Sequence, residues 1–216
     1  MARGPTGGRR CTDVAGCVVE SGNREPNACC CTTRKRSYGK TLASGASKDL
    51  SLTYERGPDF TLSVYTDANF AEKADDRRSV SGVVVTLVSA TVSWLSSTQK
   101  IVTLSTIEAE YVALGDGVKE ALFAKAVATF LVPGLTEKII LAIVDNEGAI
   151  NLTSNPLSSA RTKHIVVRFH FVRELVSSGT IVVEYVPTSE QRADILTKSL
   201  TGFIFREHRN FLMNLH

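Results

Sequence analysis

Four acidic residues fall where chemistry collects in an α/β chain. Asp67 closes a run in which Leu62 and Val64 alternate with Ser63 and Tyr65. Glu110 lies one turn into a long helical pattern. Asp145 closes the apolar run 138–144, and Asp194 stands near the start of the last helical stretch. Strand ends and helix starts along one edge of a sheet are where ligands bind. Four carboxylates gathered there repel one another unless divalent cations neutralise them. An all-oxygen donor set suits Mg²⁺, with Mn²⁺ as the alternative, rather than zinc. Two such ions, about 3.5–4 Å apart, activate a water and stabilise the leaving oxygen of a phosphodiester. Position alone leaves a surface acid or a helix cap as the plainer explanation of each carboxylate.

The elements that must position these acids are readable from hydrophobic period. Residues 61–66 alternate with period two and predict a strand. Residues 80–88 and 91–96 predict two more, split at Ser89-Ala90, so the three form an antiparallel meander. Residues 105–130 predict a long helix, with Ile107, Tyr111, Leu114, Val118 and Ala121/Leu122 on its buried face. Ser105 and Glu108 have capping-box spacing at its start, and Pro133-Gly134 stop it. A buried strand over 138–144 follows, then a short helix from Asp145 and a second over about 163–176. A fifth strand covers 180–186, and a last helix ends near Lys198. The order β-β-β-α-β-α-α-β-α predicts an α/β, five-stranded mixed sheet: three antiparallel strands, then crossover strands, with helices on both faces.

Bulk properties bound the rest. The chain has 216 residues and a net charge of +3. Its basic excess sits in residues 1–45, so the body is mildly acidic and needs local basic patches to hold a nucleic acid. Cys11, Cys17, Cys29, Cys30 and Cys31 all lie in that leader. Their spacing does not suit zinc, and a body without cysteine fits an intracellular setting, cytoplasmic or nuclear. No stretch has the length of a membrane span and no secretory signal is present, so no membrane partner is expected. The leader is Gly-, Arg- and Ser-rich without sustained period, which predicts disorder.

The segments around the acids resemble the ribonuclease H domain of copia-type LTR retrotransposon Pol polyproteins. Tyr65-Thr-Asp67-Ala-Asn69 is similar to that family's first-strand motif. Asp75-Asp-Arg-Arg-Ser79 with Ser81-Gly82, and Ser93-Trp94 with Gln99-Lys100, resemble its next two strands. Leu104 to Leu114, Val144-Asp-Asn146 with Ala149-Ile150, and Tyr185-Val-Pro-Thr188 through Ala193 to Lys198 resemble its helix, fourth-strand and final motifs. Arg161-Thr-Lys-His-Ile165 and Arg168-Phe-His-Phe171 resemble a block peculiar to copia elements. The resemblance runs from about Asp59 to Leu200. It implies a ribonuclease H-like fold and two Mg²⁺ ions held by Asp67, Glu110, Asp145 and Asp194. The implied reaction is hydrolysis of the RNA strand of an RNA–DNA hybrid during reverse transcription, beside a reverse transcriptase domain of the parent polyprotein.

Within that resemblance, Glu110 takes the ligand position and Glu108 the capping duty, while Asp116 and Glu120 read as solvated charges. The loop after the last strand lacks the His that cellular ribonucleases H carry there. Glu190 could replace it, or could simply be a first-turn acid favoured by the helix dipole. The expected nucleic-acid contacts are Asn69, Asn146, Arg161, Lys163, Arg168 and His170, with Arg77 and Arg78 as a second basic patch. Trp94 reads as core. Val166-Val167 stand where the family has an acid, and Ala71-Glu72-Lys73 where it has Gly.

The expected organisation is a non-homologous leader (1–45), a remnant of the polymerase–ribonuclease H connection (46–60), a ribonuclease H-like domain (61–200) and a C-terminal tail (201–216). The polymerase sequence expected upstream is missing, so the chain reads as a fragment lacking the reverse transcriptase. Two rival functions stand beside hybrid cleavage. One is a degenerate fragment that binds nucleic acid without cutting. The other is a ribonuclease H-fold protein of integrase type, against which the order of the acids speaks: Glu comes second and Asp last.

Overall fold

A computed structural model describes residues 50–54, 60–132, 139–154 and 163–215, the side chains of 163–169 excepted. The strands are β1 (Leu62–Asn69), β2 (Val80–Leu87), β3 (Ala90–Thr98), β4 (Ile140–Val144) and β5 (Ile181–Tyr185). The helices are α1 (Thr106–Leu131), α2 (Glu147–Ser154), α3 (Lys163–Ser177), α4 (Asp194–Thr197) and α5 (Gly202–Met213). Strand order is β3-β2-β1-β4-β5. β1 pairs antiparallel with β2 and parallel with β4, β2 pairs antiparallel with β3, and β4 pairs parallel with β5. This is the five-stranded mixed sheet expected of a ribonuclease H-like domain.

Helices cover both faces, and alternation along β1 decides which residue meets which layer. Val64 and Thr66 face α1. There Gly117 lets the helix axis come close, since a Cβ would collide with Thr66 Cγ2 and stand 3.1 Å from Val64 Cγ2. The core between sheet and helices holds Val64, Val83, Val85, Tyr111, Leu114, Val118, Ile140, Val144, Val172 and Ile181. Full burial of such a side chain contributes roughly 1.5–3 kcal/mol. Tyr65 and Asp67 point to the opposite face, where α4 and α5 lie. The Tyr65 ring meets Phe211 of α5 edge-on at 5.4 Å, and the Arg192 guanidinium stands 4.7 Å from the Phe211 ring centre.

Ser105 caps α1 as the spacing predicts, while the reciprocal bond of the box reaches one residue further back than the cap. Ser105 Oγ accepts from the Glu108 N–H at 3.1 Å, and the Glu108 carboxylate accepts from the Leu104 N–H. Three particulars differ from the sequence expectation. The β2–β3 turn is Val88-Ser89 rather than Ser89-Ala90, with both residues left-handed (φ 53° and 62°); a two-residue hairpin of matching twist requires that conformation. Ile107 is 39% exposed because the first turn of α1 stands over Gly148 at the start of α2. Trp94 is 38% exposed, since β3 is an edge strand. The stop expected at Pro133-Gly134 and the beginning of the strand at Lys138 lie outside the described residues.

Residues 201–216, read as a tail, contain α5. Asn214, left-handed at φ 52°, caps it. The helix end also fastens the segment that precedes the sheet. The Thr53 N–H donates to Met213 O at 3.1 Å, and Asn214 Nδ2 donates to Thr53 O at 3.1 Å. Leu52 is buried and the Tyr54 hydroxyl donates to Thr91 O at 3.0 Å. No helix among the described residues is long and apolar enough to cross a membrane.

Candidate active site

Asp67 stands on β1, fully buried, opposite Gly82 of β2. Gly82 makes room for the last motif: a Cβ there would sit 2.7 Å from Thr197 Cγ2 and 2.9 Å from Ala193 O. With only hydrogen in that space, α4 lies flat on β2 and brings Asp194 beside Asp67. Asp145 follows directly on β4, the parallel neighbour of β1, so its carboxylate emerges at the same edge. One oxygen from each of Asp67, Asp145 and Asp194 lies within 4.8 Å of the others.

Glu110 approaches from the other side of β1, carried by α1. It is 7% exposed, and its Oε2 has no hydrogen-bond partner. Burial pushes its carboxyl up to about 9, helped by repulsion from Asp67 and Asp145 and opposed by the Ala68 N–H and by Lys198. Burial also pushes Asp194 up to about 6, with Asp67 adding to the rise and Lys198 opposing it. Asp145 is raised by burial against a hydrogen bond from Thr188. These carboxylates are held together against their own charge, the arrangement expected of a site built for cations. The orphaned Glu110 oxygen and the all-oxygen donors fit a hard divalent ion.

Two residues that the sequence reading left without a role complete the cluster. Lys198 Nζ donates to Asp67 Oδ1 at 3.0 Å and to Asp194 Oδ1 at 2.9 Å. The Thr197 hydroxyl donates to Asp67 Oδ2. The Asp194–Lys198 spacing of four on a helical stretch is the signal that could have found the first.

The expected substrate contacts are placed unevenly. Asn69 Nδ2 donates to Glu72 Oε2 at 2.7 Å and to Thr197 O at 3.2 Å. Asn146 Oδ1 caps α2 by accepting from the Ala149 N–H at 3.0 Å. The first amide thus braces the end of β1 and the second the turn between Asp145 and α2. His170 is exposed on α3. Arg161 and the side chains of Lys163 and Arg168 lie outside the described residues. Arg78 is tied to Asp76, its Nη2 2.5 Å from Asp76 Oδ2, whereas Arg77 is exposed at φ 55°. Glu190 is exposed in a 3-10 turn over Thr188–Glu190.

No protein-family model matches the chain. It is 42% identical over 142 residues to the retrovirus-related Pol polyprotein from transposon TNT 1-94 of Nicotiana tabacum, a match covering 66% of this chain and 10% of that polyprotein. It is 37% identical over 152 residues to the corresponding polyprotein from transposon RE1 of Arabidopsis thaliana, covering 70% of this chain and 10% of that one. The chain thus spans about a tenth of the length of these curated relatives. Among solved structures it resembles the N-terminal ribonuclease H domain of a Mycobacterium tuberculosis protein. There the TM-score is 0.47 and the identity 15%, over 70% of this chain and 98% of that one.

Proposed function

This chain is a homologue of the retrovirus-related Pol polyproteins of plant transposons, and on that premise we propose that it is their ribonuclease H, hydrolysing the RNA strand of RNA–DNA hybrids with two Mg²⁺ ions. The observation that carries the proposal is the convergence of Asp67, Asp145 and Asp194 within 4.8 Å beside the buried, unpartnered oxygen of Glu110. When bound, the ions supply an activated water and stabilise the charge on the leaving oxygen.

The chain's own contribution is placement. Asp67, Asp145, Asp194 and Glu110 supply the oxygens that hold the cations. Thr197 orients the Asp67 carboxylate by its hydroxyl. Asn69 fixes the end of β1 against α4, and Asn146 fixes the loop after β4 against α2. The hybrid is gripped through its phosphates and sugars, because the reaction is indifferent to sequence. Arg161, Lys163, Arg168 and His170 are the proposed grip, with the reverse transcriptase of the parent polyprotein as neighbouring partner.

The test is cleavage of an end-labelled RNA–DNA hybrid by the full chain, in Mg²⁺ and in EDTA, beside Asp67→Asn. Cleavage confined to the RNA strand, dependent on Mg²⁺ and lowered by about two to three orders of magnitude in Asp67→Asn, is the expected result; that is the scale on which losing a charge-stabilising group acts. Retention of the hybrid without cleavage would leave the non-cutting alternative. Cleavage that survives Asp67→Asn would overturn the site.

A further inference from the structure

We propose that Lys198 is a built-in counter-cation of the carboxylate site, which a divalent ion must displace from Asp67 and Asp194 in order to bind. The inference rests on the metal-dependent reading of the site given above. Its ground is the bridge itself: one ammonium holds an oxygen of Asp67 at 3.0 Å and an oxygen of Asp194 at 2.9 Å. Both carboxylates are buried, and in a low-dielectric setting neighbouring like charges need a cation between them.

A Mg²⁺ ion binds carboxylate oxygens at about 2.0–2.1 Å and demands near-ideal octahedral geometry. An ammonium already seated on the same two oxygens stands in the space such an ion and its waters require. Like charge then drives the two apart.

Lys198 is built to leave. It sits at the C-cap of α4 on extended backbone, its own N–H held by Asp194 O at 2.9 Å, so the backbone stays in place when the side chain moves. The side chain is 34% exposed and has a flexible four-carbon stem, so water is open to it. Thr197 keeps its hydroxyl on the other Asp67 oxygen throughout. Lys198 therefore does two things. It lets the site fold without metal, and it sets a threshold of divalent ion below which the site stays closed.

The first test uses the unmutated full chain. Lysines are acetylated briefly with an amine-reactive ester, in EDTA and in Mg²⁺, and read by peptide mass spectrometry. Lys100, exposed in the loop after β3, is the internal reference. Mg²⁺ should raise labelling of Lys198 severalfold relative to Lys100, and should not do so in Asp67→Asn. The second test is calorimetric titration with Mn²⁺. Lys198→Met should bind more tightly than the unmutated chain, and Lys198→Arg, which keeps the charge, should not. A Lys198→Met chain that folds only once Mn²⁺ is added supports the same conclusion. Asp67-dependent metal binding with unchanged or reduced Lys198 labelling overturns the inference and leaves the nuclease proposal standing. Absence of metal binding in both the unmutated chain and Lys198→Met overturns the two together.

Discussion

Two buried polar clusters lie close together at one edge of the sheet, and they are built on opposite terms. One ties together the β1–β2 loop, the loop before α1, and α1 itself. Ser79 Oγ accepts from the Ala71 N–H at 3.1 Å and pairs with Thr103 Oγ1 at 2.9 Å. Gln99 Nε2 donates to Ser81 Oγ at 3.0 Å and to Ala109 O at 2.9 Å. Every group in it is neutral, and of its side-chain atoms only the Gln99 Oε1 is buried without a partner. The carboxylate cluster is charged, its protonation is disturbed, and Glu110 Oε2 is left without a partner. A neutral network that needs no counter-charge is architecture. A cluster that it leaves electrically unfinished waits for something from outside.

The comparison can be broken in several ways. The largest effect is expected from Gly82→Ala. The added methyl meets Thr197 and the Ala193 carbonyl, neither of which can move without lifting α4. Overpacking of this kind costs about 1–3 kcal/mol, and hybrid cleavage should fall with it because Asp194 leaves Asp67. Chemical denaturation and the cleavage assay check the two halves together.

Next is pH. Glu110 in the folded, metal-free chain keeps its proton up to about 9, against an ordinary value of 4.5. Its stabilising share is therefore complete below the ordinary value and is lost as pH climbs toward the raised one, at up to about 1.4 kcal/mol per pH unit. His208 is shifted down by burial and by Arg192, which acts in the opposite sense below its ordinary 6.5. Denaturation in EDTA from pH 7 upward isolates Glu110. Stability should fall toward pH 9, and Glu110→Gln should flatten the slope. A slope that persists in Glu110→Gln would place the strained proton elsewhere.

The smallest effect on the carboxylate site itself sharpens the contrast. Ser79→Ala strands the Ala71 N–H and the Thr103 hydroxyl, a loss of about 1–3 kcal/mol. Mn²⁺ affinity measured by calorimetry should be unchanged. Weaker metal binding in this variant would mean that the two clusters are one.

The sequence showed the strands and the order of elements because period two and period 3.6 are local properties. Asp67, Asp145 and Asp194 stood at strand ends and a helix start by pattern, but it was the resemblance that singled them out, and it was the resemblance together with the capping duty of Glu108 that told Glu110 from Glu108. What escaped depends on packing between distant segments. Gly82 and Gly117 matter only because α4 and α1 press on them. Lys198 reads as an ordinary helix-end charge until β1 is set beside it. Ile107 fits the apolar stripe of α1 but lies where α2 begins. In α5 the buried residue is His208, while Phe203 and Ile204 face outward, so its hydrophobic pattern does not announce a docked helix.

The clasp between Thr53 and the end of α5 has a consequence for how this unit sits in a longer chain. The backbone enters and leaves the fold at one spot, a single hydrogen bond apart. Units with adjacent ends tolerate insertion into other chains and circular permutation, because nothing flanking them has to stretch. A permutant that joins Asn214 to Thr53 through a short Gly-Ser bridge and opens at the Val88-Ser89 turn should keep the same sheet. By this geometry, segments joined before Thr53 and after Asn214 attach to the fold at the same corner.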